Sequence, residues 1–539
     1  MSATTKAVPE AAPKAKSASA WAPFGERAFA VLWVATVVSN IGTWMHDVGA
    51  AWLMTELSPS PAIVSLVQAA TTLPVFLFAV LSGAVADICD RRRLLIVVNI
   101  LMAITVAIFT ALVAAGLVTP IILLLFTFLL GTGAAFMAPT WQAIVPSLVT
   151  KESLPAAVSL NSVGINVSRA IGPALAGILI VAVGITAPFA LNFISTLGII
   201  AALIWWRPPP AKKSSLPPEH ILGAMGAGLR YARHSAPLKQ TLVRAVAFFL
   251  FASAYWAMLP LIARDVLQGG ATLYGILMGC VGAGAVAGAM IMPAIRRKLG
   301  ADKTVAAGSI GTALVLVVFA IVPNQIVAAI AAGLAGASWI AVLSTLNVSA
   351  QTSLPNWVRA RGLSIFLMVF FGTMALGSIL WGQVASFQGI STAMLIAAAG
   401  LVLAIPVTWR AKLGTGAETD FSPSMHWPEP SINLDDMDDK QPVTIRVSYL
   451  ITAENQPAFL QAIKSLQKIR MSYGGYSWQI AQDVDQSDVF VESWSESSWT
   501  EHLRHHERMS IADKVIQDEI RGLMAEGQEP VIEHFICRN

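Results

Sequence analysis

Two ionisable residues, Asp47 and Arg169, sit inside long apolar stretches that offer no solvent to hold a charge, and each ends a polar stripe. Thr36, Asn40 and Asp47 recur at roughly helical spacing and share one helix face; Ser162, Asn166 and Arg169, at i, i+4 and i+7, do the same. A carboxylate in hydrocarbon costs at least ~2.5 kcal/mol on insertion scales, so it is kept where it faces a cavity or a partner. The chemistry open to such a pair is reversible protonation: a proton on Asp47 would release Arg169, directly or through water, and change what the two stripes bind. The sequence leaves three roles for Asp47: a proton site, one half of a structural pair with Arg169, or an acid in an outer mouth. The last arises because Asp47 lies ~19 residues along its stretch, about 28 Å at 1.5 Å per residue. His46 is adjacent to Asp47 and so points elsewhere on the helix.

The elements that must position these residues are written twice. GAVADICDRRR at Gly83 to Arg93 returns as GAMIMPAIRRK at Gly288 to Lys298, 205 positions later, and the same offset carries Ser159 onto Ser364, Gly172 onto Gly377 and Gly177 onto Gly382. Two homologous halves, each with a basic cluster at the same phase, are the pattern of a polytopic membrane protein working between its halves. Arg169 maps onto Met374, so a charge mechanism belongs to the first half alone. The second half offers a sparser lining: Tyr255 and Trp256, then Trp339, Ser344 and Asn347, then Gln383. Such an aromatic, weakly polar surface suits a large amphipathic molecule better than a sugar or an ion, although each aromatic would serve equally in helix packing.

Composition agrees with a membrane chain: of 539 residues 55% are hydrophobic and 12% charged, with a mean hydropathy of +0.66. Apolar runs long enough to cross ~30 Å of hydrocarbon fall near 28–54, 62–86, 94–115, 120–143, 156–183, 185–206, 241–263, 272–294, 304–322, 325–350, 362–386 and 389–410, twelve spans in two sixes. The N-terminal segment and alternate loops hold Arg91, Arg92, Arg93, Lys151, Arg207, Arg296, Arg297, Lys298, Arg359, Arg361 and their neighbours, whereas the intervening loops hold only Arg264 as a cation. By the positive-inside rule both termini are cytoplasmic. Residues 1–27 read as a disordered leader, 28–206 and 241–412 as the two halves, and 207–240 as a cytoplasmic loop with an amphipathic helix near its end.

A boundary near 412 separates two physical objects: residues 1–412 carry 25 Lys/Arg against 10 Asp/Glu, a net +15, while 413–539 carry 10 against 21, a net −11. After a linker over 413–441, residues 442–539 alternate as strand, helix, strand, strand, helix, strand, a ferredoxin-like α+β order. His502, His505 and His506 lie on its second helix. His502 and His506 at i, i+4 have a metal-ligand spacing, yet the sequence names no third ligand, and a charged or dimer-facing helix is the expectation rather than a metal site. Cys89, Cys280 and Cys537, one per segment, form neither a disulfide framework nor a metal spacing. No phosphate-binding or dinucleotide glycine loop and no nucleophile motif occurs, so neither ATP-driven transport in cis nor an enzyme is expected, and no cofactor. The basic residues are explained by membrane topology, which leaves no case for nucleic acid.

Three segments then carry a resemblance. Gly83-x-x-x-Asp87-x-x-Asp90-Arg91-Arg92-Arg93 is similar to the cytoplasmic gating signature between the second and third spans of the major facilitator superfamily, with Asp90 where that superfamily often has glycine. Ser168 to Gly177, with Gly172, Pro173 and Gly177 matching, resembles its fifth-span antiporter signature. Trp44 to Pro61 resembles the first span and outer turn of the drug and siderophore exporter branch, the transmembrane secretion effector type that includes enterobactin and macrolide exporters. The tail looks like the dimeric α/β-barrel domain of antibiotic-biosynthesis monooxygenases. The resemblance implies an inner-membrane, proton-coupled exporter of a bulky siderophore or drug, with both termini cytoplasmic and a homodimer through the tail as one arrangement. A membrane-anchored sensor or enzyme, whose tail binds or oxidises the ligand, is the alternative of another class, and the fifth-span pattern argues against a nutrient importer.

Overall fold

The structure is a computed structural model that describes residues 21–150, 152–207, 229–355, 357–414, 420, 422, 424 and 441–537. Most of the leader over 1–27, residues 208–228 of the loop over 207–240 with the first part of its expected amphipathic helix, and most of the linker over 413–441 lie outside these residues; residues 229–234, the end of that expected helix, are helical. Among the described residues, eleven helices are long and apolar enough to cross a membrane: α1 (Arg27–Leu57), α2 (Pro61–Ile88), α3 (Arg91–Ala114), α4 (Pro120–Ile144), α5 (Leu154–Val183), α6 (Thr186–Trp205), α7 (Ala236–Leu261), α8 (Ala271–Ile321), α9 (Gln325–Thr352), α10 (Arg359–Gln388) and α11 (Ile390–Thr408). The expected runs 272–294 and 304–322 are joined in α8, whose 51 residues are broken by Gly300 at φ +76°. Only glycine reaches that conformation without strain, so the chain turns there without leaving an unpaired loop.

Local chemistry sets the helix ends. Proline stands at the first turn of α2, α4, α5 and α7, where its missing N–H is an orphan in any case. Asp90 caps α3, its carboxylate accepting from the Arg93 N–H at 2.8 Å, which accounts for an acid at a position where glycine would be silent. Arg92 donates to the Leu203 and Ile204 carbonyls at 2.8 and 2.7 Å, closing the C-terminal end of α6, and Arg91 donates to the Ala143 carbonyl at 3.3 Å near the end of α4. Part of the basic cluster therefore ties helix ends together. Gly83 lies in α2 with open space around it, and the Asp87 side chain lies outside the described residues.

The internal repeat reappears as contacts. A methyl on Gly172 of α5 would strike Trp44 and the Ile41 carbonyl of α1, and one on Gly377 of α10 would strike Ser253 and the Leu250 carbonyl of α7, so each pairs the fifth element of a half with its first. Five residues further on, Gly177 meets Ala271, Thr272 and Gly275 of α8, while Gly382 meets Ala62 and Ser65 of α2; each crosses to the other half. Small residues where backbones touch are how membrane helices associate without a hydrophobic driving force.

Beyond the membrane helices, β1 (Val443–Leu450), α12 (Gln456–Tyr473), β2 (Tyr476–Gln482), β3 (Val489–Glu496), α13 (Trp499–Arg508), α14 (Ile511–Gly522) and β4 (Val531–Ile536) form a unit with a four-stranded sheet in the order β2-β3-β1-β4, all neighbours antiparallel. Val443, Ile445, Val447 and Tyr449 of β1 alternate into a core with Phe459, Ile463, Leu466, Phe490 and Trp494. Among the described residues this unit meets the segments that lead into α7 and α10 at an aromatic seam: Tyr473 stacks on Trp357 at 5.4 Å, the Arg508 guanidinium lies over the same indole at 4.6 Å, and Tyr231 meets it edge-on at 5.8 Å.

Candidate functional site

Between the halves lies a cavity of about 130 Å³, lined on one side by Trp44, Asp47, Gln68 and Thr71 of α1 and α2, and on the other by Trp256, Tyr274 and Met278 of α7 and α8. Asp47 is only partly buried and makes no hydrogen bond or ion pair with another described residue, so its carboxylate faces the cavity. His46, one residue earlier, turns away into the first half, where its ring packs edge-on against Phe189 at 4.9 Å and lies 5.6 Å from Phe109.

Arg169 approaches the same region from α5. Its guanidinium lies 5.3 Å over the Trp44 indole, its Nε is buried without a hydrogen-bond partner, and Tyr255 lies within electrostatic reach. No ion pair joins it to Asp47 in this conformation; Trp44, a cavity-lining residue, takes the guanidinium face instead. An indole face is worth ~0.5–2 kcal/mol to a cation, less than a desolvated carboxylate partner would be, so Arg169 is left incompletely satisfied. Pro173 adds to this. It cannot donate to the Arg169 carbonyl four residues back, and that carbonyl faces Gly282 of the other half.

One end of the cavity is sealed. Close to the α1–α2, α7–α8 and α10–α11 turns, Thr272 donates to the Gly177 carbonyl at 3.3 Å, the Ala62 N–H donates to Ser386 at 2.9 Å, Arg264 donates to the Thr55 carbonyl, and Trp52 stacks on Tyr274 at 6.3 Å. Gly177 against Gly275, and Gly282 against Ala170, continue the seal towards the cavity. At the other end, Ser162 of α5 and Asn347 of α9 are exposed, as are Val158 and Met290.

The remaining expected residues divide by this geometry. Asn40 is half-buried on α1; Asn166 donates to the Ser162 carbonyl of its own helix at 2.8 Å; Asn347 accepts from Gln351 at 3.1 Å. Trp256 lines the cavity, whereas Tyr255 and Trp339 are buried, Trp339 at 5.2 Å from both Trp256 and Phe249 and 6.0 Å from Phe370. Trp339 is thus a packing residue of the second half. Gln383 is exposed and does not line the cavity. Sequence reasoning missed Trp44, Gln68, Thr71 and Tyr274, and only Gln68, a lone amide in an apolar run, offered a signal.

Comparisons with known proteins agree with this architecture. A family model described as transmembrane secretion effector matches residues 18–539, the tail included. The chain is 26% identical over 357 residues to the staphyloferrin A transporter of Staphylococcus aureus, covering 65% of this chain and 87% of that one. It is 22% identical over 369 residues to the multidrug efflux pump Tap of Mycolicibacterium fortuitum, covering 67% and 90%. Among solved structures, a bacterial homologue of the human lysosomal transporter Spinster, inward-facing and unoccupied, superimposes with a TM-score of 0.58 at 15% identity, over 72% of this chain and 97% of that one.

Proposed function

The chain belongs to the transmembrane secretion effector family of major facilitator transporters, and from that premise we propose that it is a proton-coupled antiporter that exports a bulky amphipathic organic compound, a siderophore or a drug, by rocking its two halves about the central cavity. The observation that carries this reading is Asp47, an unpartnered carboxyl in a cavity sealed at one end between two halves. An acid that binds a proton in one state and loses it in the other gives the two states different affinities for protons, which is all that coupling requires. The names of its relatives, a staphyloferrin A transporter, a multidrug efflux pump and macrolide efflux protein A of Streptococcus pyogenes, support the substrate class.

In this reading the two arms of α8 are separate crossings, giving twelve spans, and the basic loops place both termini in the cytoplasm of a bacterial-type inner membrane. The sealed end then faces outward and the conformation is inward-facing, with Ser162, Asn166 and Asn347 in the inner mouth. Gly83, Asp87 and Asp90 to Arg93 form the inner gate that closes in the opposite state, and Gly172, Pro173 and Gly177 the flexible contact on which α5 moves. The tail is a cytoplasmic ferredoxin-like domain whose exposed edge strand, with Val531, Ile532 and Phe535 open, supports homodimerisation. The chain is a carrier, not an enzyme.

The test is accumulation of fluorescent drugs and catechol siderophores in efflux-deficient cells. Wild type lowers accumulation of at least one compound, a protonophore abolishes the effect, and Asp47→Asn and Arg169→Ala each remove it at equal expression. Unchanged accumulation across a broad panel would reject export.

A further inference from the structure

We propose that the tail holds a resident divalent transition metal of the zinc class on His502, His506 and His534. The sheet supplies the ligand that the sequence could not name. Ile445 of β1 pairs with Trp494 of β3 on one side and with His534 of β4 on the other, so His534 lies on the sheet face that carries the core. There it meets His502 and His506, which project from one face of α13: the ring centroids of His502 lie 4.6 Å from His506 and 4.8 Å from His534, and a ligand nitrogen of each of the three lies within 4.8 Å of the others. The His502 and His506 Nε2 atoms are 3.1 Å apart. Two nitrogens bound at ~2.0–2.1 Å to a tetrahedral ion stand about 3.3 Å apart, so this pair needs almost no adjustment and His534 needs a ring rotation.

The surroundings are those of a ligand set. Glu496, at the end of β3, accepts from His502 Nδ1 at 2.9 Å, from His505 Nδ1 at 2.6 Å and from the Trp494 indole at 2.9 Å. A carboxylate that takes the Nδ1 proton fixes the tautomer and turns the Nε2 lone pair of His502 towards His506, the carboxylate–histidine arrangement that orients metal ligands. Trp499 walls the cluster, 5.2 Å from His502 and 5.5 Å from His534. His502 is buried, His506 half-buried and His534 exposed, which leaves a fourth position open to water or a small ligand. Three imidazoles select zinc, copper or nickel over the oxygen-seeking magnesium and calcium. The same helix faces the membrane body through its other residues: Arg508 covers Trp357, and His505 stacks at 4.9 Å on Tyr473 of α12, which itself stacks on Trp357.

The test uses the full-length chain, purified in detergent through a histidine-free tag and stripped with chelator. Zn²⁺ is titrated against a chromophoric chelator, and Co²⁺ is followed by its visible ligand-field bands. The expected result is one ion per chain with tetrahedral cobalt bands, both lost in His506→Ala and in His534→Ala, whose partly open sites allow the apo proteins to melt as wild type does. Glu496→Gln, if it folds, weakens binding by ~10- to 100-fold. Binding well below one ion per chain in wild type, or undiminished binding in His534→Ala, would overturn the assignment.

Discussion

The buried carboxylates of the tail and the carboxylate of the membrane cavity are satisfied in opposite ways. Glu492, fully buried in β3, accepts from Tyr449 at 2.8 Å and from Trp478 at 2.8 Å and pairs with Arg470 at 3.5 Å, while Glu496 takes two histidines and an indole. Asp47 has none of these partners, and Arg169 rests on an indole. A charge with every lone pair engaged fixes a structure, because any displacement forfeits several hydrogen bonds at once. A charge left without partners fixes nothing and gains by changing state, which suits a group meant to bind and release a proton.

The contrast can be broken from either side. Severing the Glu492–Arg470 pair with Arg470→Ala leaves a buried carboxylate uncompensated and costs the tail ~3–5 kcal/mol. Hydrogen exchange in the full chain should show β3 and α12 opening while α1 to α11 stay protected. Asp47→Asn, by contrast, should leave the melting temperature unchanged within error while removing proton-coupled transport; a large loss of stability would mean that Asp47 is a structural residue.

A leucine at Gly177 overpacks the contact with Thr272 and Gly275, at ~1–3 kcal/mol, and that cost falls on the conformation in which this end is closed. Spin labels across the Val183 end of α5 and the Ala271 end of α8 should report a longer distance in Gly177→Leu; an unchanged distance would show that the seal does not depend on glycine. Acid should act on the tail first. His505, His506 and His534 are held below the ordinary histidine value by burial foremost and by their neighbouring rings, His506 to about 3, and Glu496 is held below the ordinary carboxylate value. For lowered histidines the unfolded chain takes up protons first, and for a lowered carboxylate likewise, so both signs agree: tail stability falls as pH drops from about 6.5 towards 3. Proteolysis of the tail between pH 7 and 4.5 checks this. The smallest effect is expected for Arg92→Ala, ~1 kcal/mol or less, since Arg92 caps the end of α6 at the protein surface.

Much of the fold was legible in the sequence, because twenty apolar residues in a row admit few alternatives and the 205-residue repeat supplies the pairing of the halves. The Gly300 turn was legible as a gap between two runs, but not the continuity of α8 through it. The lining was less so. Asp47 and Trp256 stand out by type, yet Trp339 and Trp256 are indistinguishable until packing sends one into the core of its half and the other to the cavity. Gln68 and Thr71 reach the site only because α2 faces α7 across the halves. The histidine cluster failed for a similar reason: His534 lies 28 positions beyond His506, and only the β1–β4 register brings them together.

The central claim, that Asp47 is the group through which protons and substrate are coupled, is tested most directly in proteoliposomes loaded with a transported compound from the drug and siderophore panel. Wild type should accumulate substrate against its gradient when a pH difference is imposed and should also exchange labelled for unlabelled substrate without one. Asp47→Asn should retain the exchange and lose the accumulation. If Asp47→Asn still accumulates substrate in response to the pH difference, Asp47 is not the coupling residue and the account of the cavity fails.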